Sequence, residues 1–442
     1  MDGAQAHGTT DIRRVLADLF EWAALAGAAP FLLFPSLRPD ATLAGLGGLV
    51  AIWGITTVLR EEAWPLTPFN GALLLFVPMV GVGILVSALP ELTLPKATGL
   101  ILGLAAFRAV ATTRERLFHS LALWGLLLVG VIILVAGILA TRWPLKVPAL
   151  EAVLKGLPES RLRLPEAPEG GVNPNELAGA LTLYAPFPLA VLLDMRPRWR
   201  RVPGLIAALV GLALIAGTLF LSQSRSAWIG AIAGLLALAF CWAWHTRRWL
   251  RPVVLIPLFL LLIMGGLTIW QVGLTRLLLL LDVAGGHPLG LSLGTISLQG
   301  RLELWSRALY AIADFPFTGC GLGTFRRIVH LLYPLSPTGA ETDIAHAHNT
   351  FLQVALDVGL PGLIGYLAIL GIGVFRSWSG SRREKRLRWM CMGLFAGLVG
   401  LHTYGLTDAL ALGAKPTLGF WIALGLLANP LARSLERPEN GR

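Results

Sequence analysis

Two imidazoles and a carboxamide lie together in Ile344-Ala345-His346-Ala347-His348-Asn349-Thr350-Phe351-Leu352-Gln353. Here a long polar segment meets a very apolar one, which continues through Leu356-Asp357-Val358-Gly359-Leu360-Pro361-Gly362. Imidazole is the side chain best matched to taking up or delivering a proton near neutral pH. His346 and His348 are i and i+2, so on a helix they would point about 200° apart and only one would face a given site. A metal-binding pair on a helix uses i and i+4 instead. His348, nearer the apolar run, is the candidate for proton chemistry, and Asn349 beside it fits a helix N-cap.

Guanidinium groups supply a second chemistry. In Leu221-Ser222-Gln223-Ser224-Arg225-Ser226-Ala227-Trp228 a few polar residues join two apolar runs, which puts Arg225 at a membrane–water boundary. There it either snorkels, stem in lipid and head in water, or binds a phosphate whose oxygens match its planar fork. Residues 299–309 repeat apolar side chains at three and four, the pattern of an amphipathic helix. Arg301 in its first turn opposes the helix dipole, which suggests that it and the free backbone N–H groups meet an anion. Arg307, four residues after Glu303, fits an ordinary ion pair. Gly319-x-Gly321-x-Gly323 follows a helix and lacks the Lys-Ser/Thr ending of a nucleotide loop, so it reads as a tight turn. Asn175 is either a cap or a site residue. Asp408 and Lys415 bracket the last polar turn and either pair with each other or serve the site. Arg108 lies inside an apolar run, a functional candidate by default, yet near enough to its end to snorkel.

The elements that carry these residues are membrane helices. Hydrophobic residues make up 55% of the chain and charged ones 14%, against about 25% charged in soluble domains. Apolar runs near bilayer-spanning length recur throughout. The fold class is an all-α polytopic membrane protein with twelve spans: 16–35, 42–59, 70–89, 95–112, 117–141, 175–194, 203–221, 226–245, 252–273, 351–375, 389–407 and 416–434. This divides the chain into 1–273 (spans one to nine, with a loop at 142–174), a large, partly helical loop at 274–350, and 351–442 (spans ten to twelve and a tail). The first span has no small-residue cleavage site behind it and reads as uncleaved.

Of the 36 Lys and Arg, 21 fall on one set of connections, mostly very short ones. The positive-inside rule then makes both termini cytoplasmic and turns the polar candidates outward. The net charge of +11 therefore reflects topology and contact with anionic lipid rather than nucleic-acid binding, since the 274–350 loop is itself balanced. Cys241 and Cys391 lie in spans and Cys320 lies alone, so there is no disulfide framework and no metal-ligand spacing. The leucine run at 276–282 is an interfacial anchor or faces a lipid chain.

Taken in order, Ser224-Arg225-Ser226, Arg301 with Trp305, Phe315-Pro316-x-x-Gly319-x-Gly321-x-Gly323-x-Phe325, and His346-Ala347-His348-Asn349 before Gly359-Leu360-Pro361-Gly362 resemble the O-antigen ligases. These belong to a larger ligase/polymerase superfamily of bacterial envelope glycan enzymes. The resemblance covers about residues 170–430. It implies about twelve spans in the bacterial inner membrane and a periplasmic active site. It also implies a glycan donor carried on undecaprenyl diphosphate and a lipid A–core acceptor hydroxyl, with inversion at the anomeric centre and neither metal nor cofactor. On that resemblance Arg225 and Arg301 bind the diphosphate and His348 is the essential histidine, acting as base, diphosphate ligand or acceptor holder. His346, Asn349, Asn175, Asp408 and Lys415 are secondary candidates. A glycan polymerase would use the same donor with a second lipid-linked glycan. A small-anion transporter would place its charges near mid-membrane, whereas here they gather at one surface.

Overall fold

The computed structural model of the chain describes residues 2–113, 116–143, 145, 151–156, 162–166, 171–194, 202–245, 251–253, 256–257, 259–260, 263, 266, 298–335, 344–383 and 387–429. Apolar runs become helices because, away from water, each backbone N–H and C=O must be paired within its own segment. The helices are α1 (Asp2–Leu33), α2 (Pro39–Arg60), α3 (Asn70–Leu85), α4 (Pro90–Thr112), α5 (Arg116–Ala140), α6 (Glu151–Lys155), α7 (Pro174–Thr182), α8 (Pro186–Asp194), α9 (Val202–Ser222), α10 (Arg225–His245), α11 (Leu298–Asp314), α12 (Phe325–Leu332), α13 (Thr350–Arg383), α14 (Arg388–Tyr404) and α15 (Leu418–Ala428). No strand occurs among the described residues.

Eight helical stretches among the described residues are long and apolar enough to cross a membrane, so the chain is a multi-pass membrane protein. They match eight of the twelve expected spans. Of the other four, 70–89 and 416–434 correspond to the shorter apolar helices α3 and α15. The third, 389–407, corresponds to the 17-residue α14, and 252–273 falls mostly outside the described residues. The leucine run at 276–282 lies outside them as well. The described part of the 274–350 loop contains α11 and α12.

Two spans are not the continuous helices that hydropathy suggests. The stretch 175–194 breaks at 183–185, between α7 and α8, because Pro186 has no N–H to give and its ring collides with the preceding turn. α13 departs from helical backbone at Gly359 (φ 72, ψ 175), two residues before Pro361. A side chain at Gly359 would meet Phe317 O at 2.2 Å. Gly359 thus serves both the bend and a close approach.

α13 packs against α3, α11 and α14, and α14 packs against α10. At Gly230 a Cβ would come within 2.7 Å of Gly400 O, so small residues let α10 and α14 touch through their backbones. At the other end, Arg108 does not snorkel. It is 4% exposed, pairs with Glu21 and donates from Nε to Ala63 O at 3.2 Å. Glu21 also pairs with Arg60, whose Nη2 lies 2.6 Å from Asp18 Oδ1. Two arginines and two carboxylates thus neutralise one another among α1, α2 and α4.

Candidate active site

The histidine turn is not helical. Residues 344–349 precede α13, and His348 has φ 47, a left-handed conformation that disfavours side chains with a Cβ. Asn349 starts the helix: its Oδ1 accepts from Phe351 N at 2.9 Å and Leu352 N at 3.0 Å. Its own amide donates to Leu406 O at 2.9 Å. Thr350 N donates to Gly405 O at 2.7 Å, and Trp305 Nε1 to His348 O at 3.3 Å. Because the turn is irregular, the i, i+2 spacing does not separate the two rings. Their centroids lie 4.5 Å apart at 66°, which corrects the expectation that only one could face the site.

Asp408 is the hub. It follows α14, its side chain is 2% exposed, and its Oδ1 lies 2.9 Å from His348 Nδ1 and 3.8 Å from His346 Nε2. Arg301 Nη2 approaches Oδ2 at 3.9 Å. Asp408 does not pair with Lys415, whose Nζ instead meets Glu166 Oε2 at 3.2 Å and sits 4.3 Å from the Phe34 ring centroid. Arg307 pairs with Glu303 at 3.7 Å, as its spacing suggests. Arg225 is exposed at the head of α10. The next residue, Ser226, meets Thr407 Oγ1 at 2.9 Å, one position before Asp408. Asn175 is buried, and its carbonyl accepts from the Tyr404 hydroxyl at 3.1 Å. Arg301, His346, His348 and Asp408 therefore form one cluster, the head of α10 with Arg225 abuts its loop, and Lys415 belongs elsewhere.

Two further charged residues join the cluster. Glu176 Oε1 lies 3.8 Å from His346 Nε2, and the charge of Lys96 acts on both Glu176 and His346. Glu176 in the first turn of an apolar helix reads as a partner for the helix dipole, and Lys96 at a span end reads as an interfacial cation. Nothing local in the sequence marks either one.

The hydrogen bonds set the protonation states. His348 N donates to His346 Nδ1 at 3.2 Å, so the neutral His346 ring carries its hydrogen on Nε2. Burial and the neighbouring His348 push His346 down to about 3, which keeps it neutral. His348 turns Nδ1 to the Asp408 carboxylate, so Nδ1–H donates, and the neutral tautomer that this bond favours carries its lone pair on Nε2. Burial works against the Asp408 carboxylate, but in the acid range where it titrates the rings are protonated, and the charge and hydrogen bond of His348, with His346 and Arg301, outweigh burial and leave its pKa below the ordinary value.

Ligand atoms of His346, His348 and Asp408 all lie within 4.8 Å of one another, so by distance they could hold a metal ion. The hydrogen bonding does not suit one. A metal-bound histidine donates its second N–H to an acceptor. His348, with Nδ1 against Asp408, has that arrangement, but His346 does not, because its Nδ1 faces the donor His348 N and its hydrogen sits on Nε2, the atom a metal would need.

The three-glycine segment is a turn and not an anion cradle. Gly319, Gly321 and Gly323 all have positive φ. Cys320 N donates to Leu356 O at 2.7 Å, Leu322 N to Gly83 O at 2.9 Å and Gly323 N to Asp357 Oδ1 at 2.9 Å. Its amides bind the protein itself.

Residues 210–367 match the family model Wzy_C, described as O-antigen ligase. This segment is an O-antigen ligase family domain. It contains Arg225, Arg301, His346 and His348, while Lys96, Glu176 and Asp408 lie outside it and join the candidate cluster from α4, α7 and the turn after α14. Members of the family are glycan-processing enzymes acting on lipid-linked glycans. No curated protein matches the chain.

Proposed function

We propose that this O-antigen ligase family protein transfers a glycan from undecaprenyl diphosphate to a sugar hydroxyl of lipid A–core on the periplasmic face, inverting the anomeric centre without a metal. The observation that carries the reading is the His348–Asp408 contact at 2.9 Å, which leaves His348 Nε2 as a proton acceptor beside Arg301. The acceptor oxygen attacks the anomeric carbon while the bond from that carbon to the diphosphate oxygen breaks. The hydroxyl proton passes to His348 Nε2, and Asp408 stabilises the imidazolium that forms. The diphosphate departs with its added charge held by Arg225 and Arg301, whose forks suit phosphate oxygens. Lys96 adds positive charge to the same region, and His346, neutral and buried, packs against the acting ring.

A polymerase would use the same residues on the same donor, and the matched domain is compatible with both. A gel of envelope glycolipids from a deletion strain separates them. The ligase reading expects bare lipid A–core with long glycan accumulating on the lipid carrier. Lipid A–core bearing a single repeat unit would instead identify a polymerase.

A further inference from the structure

The left-handed backbone at His348 is strained for a residue with a Cβ. Such a turn persists only where its surroundings hold it. Part of the hold comes from a buried pair one helical turn apart on α13. Gln353 Oε1 accepts from Ala347 N, the peptide between the two histidines, at 2.9 Å. Gln353 Nε2 donates to Asp357 Oδ1 at 2.8 Å. The same Oδ1 accepts from Gly323 N at 2.9 Å. An unbroken chain of hydrogen bonds thus runs from the glycine turn through Asp357 and Gln353 to the histidine turn.

Asp357 is fully buried, and its Oδ2 has no hydrogen-bond partner among the described residues. A buried carboxylate left half-satisfied is destabilising, and helix formation does not require one there, since leucine or alanine would serve. Its two bonds are the function it performs. Both end on backbone N–H groups of the turns, one directly and one through Gln353.

We propose that Gln353 and Asp357 are positioning residues that fix the histidine turn so that His348 meets Asp408; this rests on the reading of His348 as the acting base. Without the brace, the Ala347 peptide is released and the imidazole drifts from its partner. A misplacement of about 1 Å can lower turnover by about 10².

The test uses the full-length protein in lipid nanodiscs with a polyprenyl-diphosphate glycan donor and a lipid A–core acceptor. Gln353→Glu sets a carboxylate against Asp357 and breaks the chain. Adding Asp357→Asn restores it with the original net charge. One Asp357 oxygen serves both Gln353 and Gly323 N in the parent, so the Asn side chain turns to keep Oδ1 on Gly323 N while its amide donates to one Glu oxygen, and the other Glu oxygen accepts from Ala347 N–H. The expected result is that Gln353→Glu lowers kcat by about 10–10²-fold with KM for donor and acceptor within about twofold. The double variant should return to within about threefold of the parent. Normal turnover per folded molecule in Gln353→Glu would overturn the proposal. So would a slow Gln353→Glu that Asp357→Asn fails to rescue, because the pair would then not act as a unit. Failure of the base reading shows separately, as full activity in His348→Ala.

Discussion

Asp408→Asn keeps the side chain's size and removes its charge. In the native chain Oδ1 lies 2.9 Å from His348 Nδ1, and Oδ2 lies 3.9 Å from Arg301 Nη2. A hydrogen bond to a charged group contributes about 1.5–3 kcal/mol. Each 1.4 kcal/mol is about a factor of ten in rate. Losing this bond from the imidazolium that forms as the acceptor proton is taken lowers kcat by about 10–10²-fold. The amide can also do greater harm. If its NH₂ turns toward His348, the ring keeps its lone pair on Nδ1 and its hydrogen on Nε2, and it can accept no proton from substrate. The whole general-base contribution then goes, about 10²–10⁴-fold. The expected fall in kcat is therefore at least tenfold, with the protein still folded and KM for the donor little changed. Single-turnover transfer in nanodiscs measures it. If the carboxylate acts only through His348, Asp408→Asn in a His348→Ala background should cost little more. Turnover within threefold of the parent, or full additivity in the double variant, would refute the orientation argument.

Arg225→Lys and Arg301→Lys should each lose most transfer, because an ammonium cannot hold two phosphate oxygens in a fixed fork; near-normal rates in both would remove them from diphosphate binding. His346 bears on acid stability. Its folded value near 3 lies below the ordinary 6.5, so the unfolded chain takes up the proton first. The contribution of neutral His346 is complete above about pH 6.5 and is lost as pH falls toward 3, with the lowered Asp408 adding to the loss further down. The midpoint of thermal unfolding should be level above pH 7 and fall below 6.5, less steeply in His346→Asn; a rise on acidification to pH 4.5 would contradict this. Glu21→Gln removes the carboxylate shared by Arg60 and Arg108 and leaves buried positive charge in excess. It should lower stability by about 3–5 kcal/mol, and an unchanged denaturation midpoint would count against the pairing.

The sequence carries the helices well and their breaks poorly. Hydropathy finds a span over 175–194 because Leu183, Tyr184 and Ala185 are as apolar as their neighbours, and only Pro186 hints that the helix stops. The candidates Arg225, Arg301 and His348 stand out in the sequence because an arginine or imidazole at the water end of an apolar helix, or an arginine in the first turn of an amphipathic one, has few structural uses. Their relations are less so. The argument that His346 and His348 diverge assumes a helix where the chain makes a strained turn. Pairing Asp408 with Lys415 assumes that nearness in sequence means contact. Lys415 reaches Glu166, and Asp408 meets a histidine 60 positions away. Glu176 and Lys96 carry no local mark, since each has an ordinary use at a helix end. Only tertiary packing shows what they face.

The central claim is that one imidazole, oriented by Asp408, takes the acceptor proton while two guanidinium groups carry the diphosphate. The most direct measurement mixes purified protein with a polyprenyl-diphosphate glycan and lipid A–core in EDTA-containing buffer. The account predicts glycan-bearing lipid A–core from the parent protein and none from equally folded His348→Ala. Undiminished product from that variant, or product only after Mg²⁺ is added, would contradict it.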